Sequence, residues 1–105
     1  LNDFGATDFL LTDLARDGWT SDLLFAKGEL YRSRGRPEDL KLAVAAFEEA
    51  VTKETPPIET WRGLGLSLLR LDRKQEGQAA LRLYLDKRPD AKDRAMIAVL
   101  AGVTP

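Results

Sequence analysis

The chain of 105 residues is long enough for one domain with a sizeable core, and no apolar run in it approaches the roughly 20 residues that span a bilayer. Its net charge is −1, from 16 basic and 17 acidic side chains, which argues against nucleic-acid binding because proteins of that class are more often clearly basic. Histidine and cysteine are both absent, so disulfides, zinc sites of the Cys/His type, thiol nucleophiles and the commonest general base are excluded.

The predicted elements are all helices. Residues 1–18 are expected to form an N-terminal helix, and the next helix is predicted from Ser21 to Ser33, with Thr20 as its N-cap and Gly35 at its end. Pro37 is typical of a first helical position, so it is predicted to begin another helix, which ends before the prolines at 56 and 57. The apolar stripe of that helix repeats every 3.6 residues and consists of Leu40, Ala43, Val44, Phe47, Ala50 and Val51.

A second pair of helices follows the same plan. One is predicted from about Ile58 to Leu71 and the other from Gln75 to Asp86, with a turn at 72–73 between them. A final helix is predicted after Pro89, with Asp90 as its N-cap. Its apolar residues are Ala95, Met96, Val99 and Leu100.

The second pair of helices carries a recognisable spacing of residues. Counted from Ile58 as position 1, positions 4, 7, 8, 20, 24 and 32 are occupied by Trp61, Leu64, Gly65, Gly77, Leu81 and Pro89. This pattern resembles the tetratricopeptide repeat (TPR), a 34-residue helix–turn–helix unit, whereas other helical repeats such as HEAT have longer periods. An earlier unit begins with Ser21 as position 1, and its positions 8, 11, 20, 24 and 27 are occupied by Gly28, Tyr31, Ala43, Phe47 and Ala50. This match requires three extra residues in the turn over residues 35–42.

The resemblance implies an all-α fold: a TPR-like right-handed array of antiparallel helical hairpins with about six helices. It divides a single domain, residues 1–105, into an N-terminal helix or half-repeat (1–18), repeat 1 (21–57), repeat 2 (58–91) and a C-terminal capping helix (92–103). It also implies that Gly65 faces Gly77 at the closest approach of two helices. The aromatic residues that it implies to be core are Tyr31, Phe47, Trp61 and Tyr84.

The same resemblance implies where a partner would bind. Ligand contacts in TPR proteins come mainly from the first helix of each unit, which lines a concave groove. Carried over to this chain, the candidate partner-binding residues are Phe25, Glu29, Arg32, Arg62, Leu66, Leu69, Arg70 and Met96. In this hypothesis a protein or peptide is anchored by apolar side chains and oriented by Arg62 and Arg70. The alternative is that a neighbouring helix, or the final helix itself, covers these apolar residues.

No catalytic residue, metal ligand or cofactor is predicted. Carboxylate pairs such as Glu48-Glu49 lie on the polar side of amphipathic helices, whereas an acid/base pair must face across a cleft. Arg32, Arg34 and Arg36 are interpreted as cations near the negative end of a helix dipole, with a phosphate-binding patch as the alternative. The sequence therefore predicts a non-catalytic scaffold for protein–protein interaction.

Two alternative functions remain open at this point. Residues 88–97 loosely resemble the end of TPR tails behind bacterial zinc-metallopeptidase domains, which would make the chain the appendage of an enzyme. Self-association into a homodimer is the other, because the end faces of short helical arrays are exposed. Since the chain opens on Leu1 instead of Met, we expect it to be excised from a longer protein, and no compartment is assigned.

Overall fold

A computed structural model describes residues 3–103, and within this range the chain is entirely helical, with no strand. The helices are α1 (Phe4–Leu14), α2 (Ser21–Arg34), α3 (Pro37–Ala50), α4 (Glu59–Arg70), α5 (Lys74–Lys87) and α6 (Arg94–Leu100). The predicted all-α class and the number of helices are therefore confirmed for these residues. The end residues of the predicted range 1–105 (1–2 and 104–105) lie outside the described part of the chain.

The ends of α2 and the start of α3 follow the local signals in the sequence. The Thr20 hydroxyl accepts a hydrogen bond from the Leu23 backbone N–H at 3.2 Å, as expected of an N-cap. Gly35 ends α2 in the left-handed conformation, with φ of 72°, which glycine adopts without a steric penalty. Pro37 is the first residue of α3, as predicted.

The prediction of Asp90 as the N-cap of the last helix is wrong. Residues 88–93 form turns, α6 begins only at Arg94, and the residue at its N-cap position is Asp93. The Asp93 side chain makes no capping hydrogen bond, because its carboxylate binds side chains of α4 and α5 instead. The last helix is consequently shorter than the predicted segment 92–103.

The helices pack in the order in which they occur along the chain. Each packs against its sequence neighbour, and α2 also packs against α4. Among the described helices, α1 packs against α2 alone, whereas α6 packs most closely against α5. The molecule measures 42 × 29 × 24 Å. Because α1 and α6 do not contact each other, they form the two ends of this elongated arrangement.

Two clusters of buried side chains form the core. The first core cluster comprises Ala43, Val44, Phe47, Leu64, Leu68 and Ala80. The second core cluster comprises Leu81, Tyr84, Leu85, Ile97, Ala98 and Ala101. Trp61 is half-buried and packs against both clusters, so one large side chain of α4 joins them. Phe47, Tyr84 and the half-buried Tyr31 and Trp61 all contribute to this packing, in agreement with the sequence analysis.

Two glycines allow α4 and α5 to approach closely, as the resemblance of spacing implied. A methyl group added at Gly65 would lie 2.9 Å from the Gly77 carbonyl oxygen, and one added at Gly77 would lie 3.0 Å from the Gly65 carbonyl oxygen. Either contact is shorter than ordinary van der Waals contact, which begins at 3.4 Å. The two backbones therefore contact each other directly, and a larger residue at either position would separate the helices.

None of the helices within residues 3–103 has both the length and the apolar character needed to cross a bilayer.

Candidate functional site

The candidate partner-binding residues lie on three helices. Phe25, Glu29 and Arg32 belong to α2, whereas Met96 belongs to α6. The remaining four, Arg62, Leu66, Leu69 and Arg70, belong to α4. The helices α2 and α4 pack against each other, and Glu29 of α2 lies close to Gly63 of α4. The final helix packs mainly against α5 and is joined to α4 through Arg62 and Asp93.

The apolar residues of this set on α2 and α4 are partly used by the core. Phe25 is half-buried against the first core cluster, with its ring centroid 6.1 Å from that of Phe47. Leu66 and Leu69 are half-buried against the second core cluster, which includes Ile97 of α6. The final helix therefore contributes to the cluster against which Leu66 and Leu69 pack. This agrees with the alternative in the sequence analysis, in which the final helix covers these apolar residues. Half-buried side chains offer a partner less apolar surface than exposed ones do.

The charged residues of the set each have a hydrogen-bonding partner within the chain. Arg32 forms an ion pair with Glu29 on the same helix, with 2.7 Å between Nη2 and Oε2. Arg62 donates from Nε to Asp93 Oδ2 at 2.6 Å. Arg70 donates to the Gly35 backbone carbonyl at 3.1 Å. A ligand carboxylate that binds these arginines would have to replace bonds that already exist. Its binding would therefore be less favourable in free energy than binding to unpaired arginines.

The Arg62–Asp93 pair belongs to a network that connects three helices. Tyr84 of α5 donates from its hydroxyl to Asp93 Oδ1 at 3.3 Å. Burial raises the pKa of Tyr84, and the adjacent negative charge of Asp93 adds to this effect. Burial also acts to raise the pKa of Asp93, but the hydrogen bond and the positive charge of Arg62 outweigh it, so this pKa lies below its usual value. The network holds Asp93 ionised and fixes the start of α6 against α4 and α5.

A second ion pair, between Arg34 and Asp39, bridges the turn from α2 to α3. Arg34 donates from Nε and Nη2 to the two carboxylate oxygens of Asp39 at 2.9 and 2.8 Å, and the Asp39 side chain is 1% exposed. The Arg36 backbone N–H also donates to Asp39, at 3.2 Å. The hydrogen bond from Arg34 holds the pKa of Asp39 below its usual value. Arg34 is thus a partner of a buried carboxylate, a more specific role than the dipole effect inferred from the sequence.

Exposed apolar side chains are concentrated at the two ends of the molecule. On α1, Phe9, Leu10 and Leu14 are 74%, 54% and 58% exposed, and we call these three residues the α1 patch. On α6, Met96, Val99 and Leu100 are 50%, 66% and 37% exposed, and they form the α6 patch. Met96 is the only one of the eight candidate residues in either patch. The sequence analysis did not identify the α1 patch, although the four-residue spacing of Leu10 and Leu14 is a helical stripe that could have indicated it.

One pocket in the described part of the chain lies between α1 and α2. It has a volume of about 410 Å³ and is lined by Asp3, Phe4, Thr7, Leu30, Ser33 and Arg34. Its two charged residues have structural roles, since Asp3 caps α1 through the Ala6 N–H and Arg34 binds Asp39. None of the eight candidate residues lines it. Residues 3–103 also contain no group of three or more acidic side chains placed to bind a metal ion.

Comparison of the chain with protein-family models, with curated proteins and with solved structures finds no match.

Proposed function

We propose that this chain is a non-catalytic scaffold for protein–protein interaction, built as a TPR-like right-handed array of antiparallel helical hairpins. Residues 21–57 and 58–91 are the two repeats of this proposal. Its architectural part is supported by the close approach of Gly65 and Gly77, the two positions at which the resemblance requires small residues. It is also supported by the order of packing, in which each helix contacts its neighbour along the chain.

The observation that carries the functional part is the exposure of the α1 and α6 patches. Contiguous apolar surface on a soluble domain is costly to hydrate and is typical of surfaces that bind other proteins. The patches also differ from the half-buried residues on α2 and α4, because the described chain does not cover them. The proposal therefore places the main contacts with a protein partner at the ends of the array, with the α2–α4 side as a secondary surface.

The experiment is selection of binders from a random-peptide library, followed by mapping of each peptide through its effect on the amide resonances of the chain. We expect apolar peptides that shift resonances of α1 or α6, and that lose affinity when Leu10→Asp or Val99→Asp is introduced. Leu42→Asp is the matched control, because Leu42 is 46% exposed but lies on α3, outside both patches. Failure to select any peptide, or equal binding by all three variants, contradicts the proposal.

The non-catalytic part has a separate test. The purified chain is expected to turn over none of a broad panel of hydrolase substrates. Turnover that is abolished by Glu48→Ala would contradict this expectation, because the carboxylate of Glu48 lies on an exposed helix surface, where no cleft positions a substrate.

A further inference from the structure

We propose that the chain associates head to tail, with the α1 patch of one copy docked on the α6 patch of a second copy. This inference rests on the proposed function and names the partner as the chain itself.

The shape of both patches suits helix–helix packing. Leu10 and Leu14 are one helical turn apart on α1, with Phe9 beside them. Met96, Val99 and Leu100 are related by three- and four-residue steps on α6. Residues with this spacing form a stripe along one side of a helix, and such a stripe fits into the groove of a facing helix. Another side of α1 and of α6 is already occupied, because Leu11 and Ile97 are buried within their own chain.

The charges around the two patches have opposite signs. Residues 3–18 carry one basic residue, Arg16, and a set of aspartates that comprises Asp3, Asp8, Asp13 and Asp17. Asp13 follows Leu10 by three residues on α1, so it borders the α1 patch, where it pairs with Arg16 at 3.8 Å. Asp17 lies in the turn that follows the helix, so Asp3, Asp8 and Asp17 leave this end acidic. Around α6, the basic side chains of residues 87–103 are Lys87, Arg88, Lys92 and Arg94, and the acidic ones are Asp90 and Asp93.

The ion pairs within the chain leave the α6 end basic. Asp93 is bound to Arg62 and Arg88 to Glu59, so Lys87, Lys92 and Arg94 outnumber Asp90 among the remaining charges of this segment. Lys92 lies in the turn that precedes α6 and is exposed, four residues before Met96 in the sequence.

The signs of these charges distinguish between modes of association. A symmetric dimer through two α1 patches would bring aspartates against aspartates, and one through two α6 patches would bring cations against cations. Pairing of α1 with α6 brings an end with net negative charge against an end with net positive charge, which is favourable for both orientation and rate of association. The charge distribution therefore favours the head-to-tail mode.

Head-to-tail association has a consequence that a symmetric dimer lacks. Because α1 and α6 are at opposite ends of the molecule, each bound copy still presents one free patch. The assembly is then open, and its mass increases with concentration beyond that of a dimer.

The experiment measures mass in solution by sedimentation and light scattering, from micromolar to about millimolar concentration, at low and high salt. The wild-type chain is expected to grow beyond a dimer and to associate less at high salt. Leu10→Asp and Val99→Asp should each be monomeric, with the dissociation constant raised about tenfold or more. Leu42→Asp should associate like the wild type, and circular dichroism checks that each variant remains folded.

The decisive sample is an equimolar mixture of Leu10→Asp and Val99→Asp. The first variant retains an intact α6 patch and the second an intact α1 patch, so the mixture should form a dimer that contains one copy of each and stops there. A mixture that stays monomeric while the wild type associates would overturn the head-to-tail mode, as would a wild type that stops at a dimer. A wild type that is monomeric at about 1 mM but binds selected peptides at the patches would overturn this inference and leave the proposed function intact. Absence of both association and peptide binding would overturn both.

Discussion

The ring of Phe47 occupies the space in front of Gly28, so we expect Gly28→Ala to have opposite effects on stability with and without this ring. A methyl group added at Gly28 would lie 2.5, 2.6 and 2.7 Å from three atoms of the ring, Cε1, Cδ1 and Cζ. These distances are roughly 1 Å shorter than ordinary contact. Phe47 is 0% exposed, so the ring cannot move into solvent to relieve the overlap.

The magnitude follows from two opposing terms. Alanine is about 1 kcal/mol more favourable than glycine within a helix, whereas overpacking of a core costs about 1–3 kcal/mol. In the wild type we therefore expect Gly28→Ala to lower the free energy of unfolding by about 1 kcal/mol. In a Phe47→Leu background the ring atoms that face Gly28 are absent, so the same substitution should raise the free energy of unfolding by about 1 kcal/mol. The predicted coupling energy is about 2 kcal/mol, within the usual range for residues in contact.

The assay is urea denaturation at 25 °C for the wild type, both single variants and the double variant. Gly5→Ala is the steric control, because a methyl group there meets nothing closer than Asp3 Oδ1 at 3.6 Å and should not lower the free energy of unfolding. If Gly28→Ala stabilised both backgrounds equally, the close contact between Phe47 and Gly28 would not exist in solution and the reasoning would be refuted.

Three further predictions concern single side chains. Phe47→Ala should lower the free energy of unfolding by about 3–5 kcal/mol in urea, because it empties a fully enclosed site. The Arg34 hydrogen bond holds the pKa of Asp39 below its ordinary 3.8. The contribution of this bond to the stability of the folded chain is therefore fully present above pH 3.8, and it is lost as the pH falls through the lower pKa of the folded state. Thermal unfolding across acidic pH should show a loss of stability that Asp39→Asn removes; an equal loss in this variant would contradict the assignment. Asp93→Asn should weaken the bond to Arg62 and speed amide hydrogen exchange in α6 more than in α3. An equal increase in both helices would mean that the network does not stabilise α6 locally.

The middle of the fold could be predicted from the sequence because its signals are local. Thr20, Gly35 and Pro37 determine helix ends through the conformation of one or two residues, and the structure contains these ends as predicted. The contact of Gly65 with Gly77 was predicted from a resemblance of spacing, and the distances agree with it.

The environment of the candidate site could not be predicted in the same way. Asp93 is 31 residues from Arg62 in sequence, and nothing local indicates that they meet, so both the start of α6 and the engagement of that arginine were missed. Likewise, the partial coverage of Leu66 depends on where the last helix packs, which is a property of the whole fold. The α1 patch was overlooked because the N-terminal helix matched the repeat pattern only loosely.

The position of the Phe47 ring also determines how the molecule should unfold. The ring, carried by α3, lies against Gly28 of α2 and equally against Gly63 of α4, where an added methyl group would be 2.5 Å from Cζ. Separation of the α2–α3 pair from the α4–α5 pair would thus expose one large aromatic surface common to both, so these four helices should melt in a single cooperative transition. The end helix α1 packs against α2 alone among the described helices, and it is expected to open first, in advance of that transition.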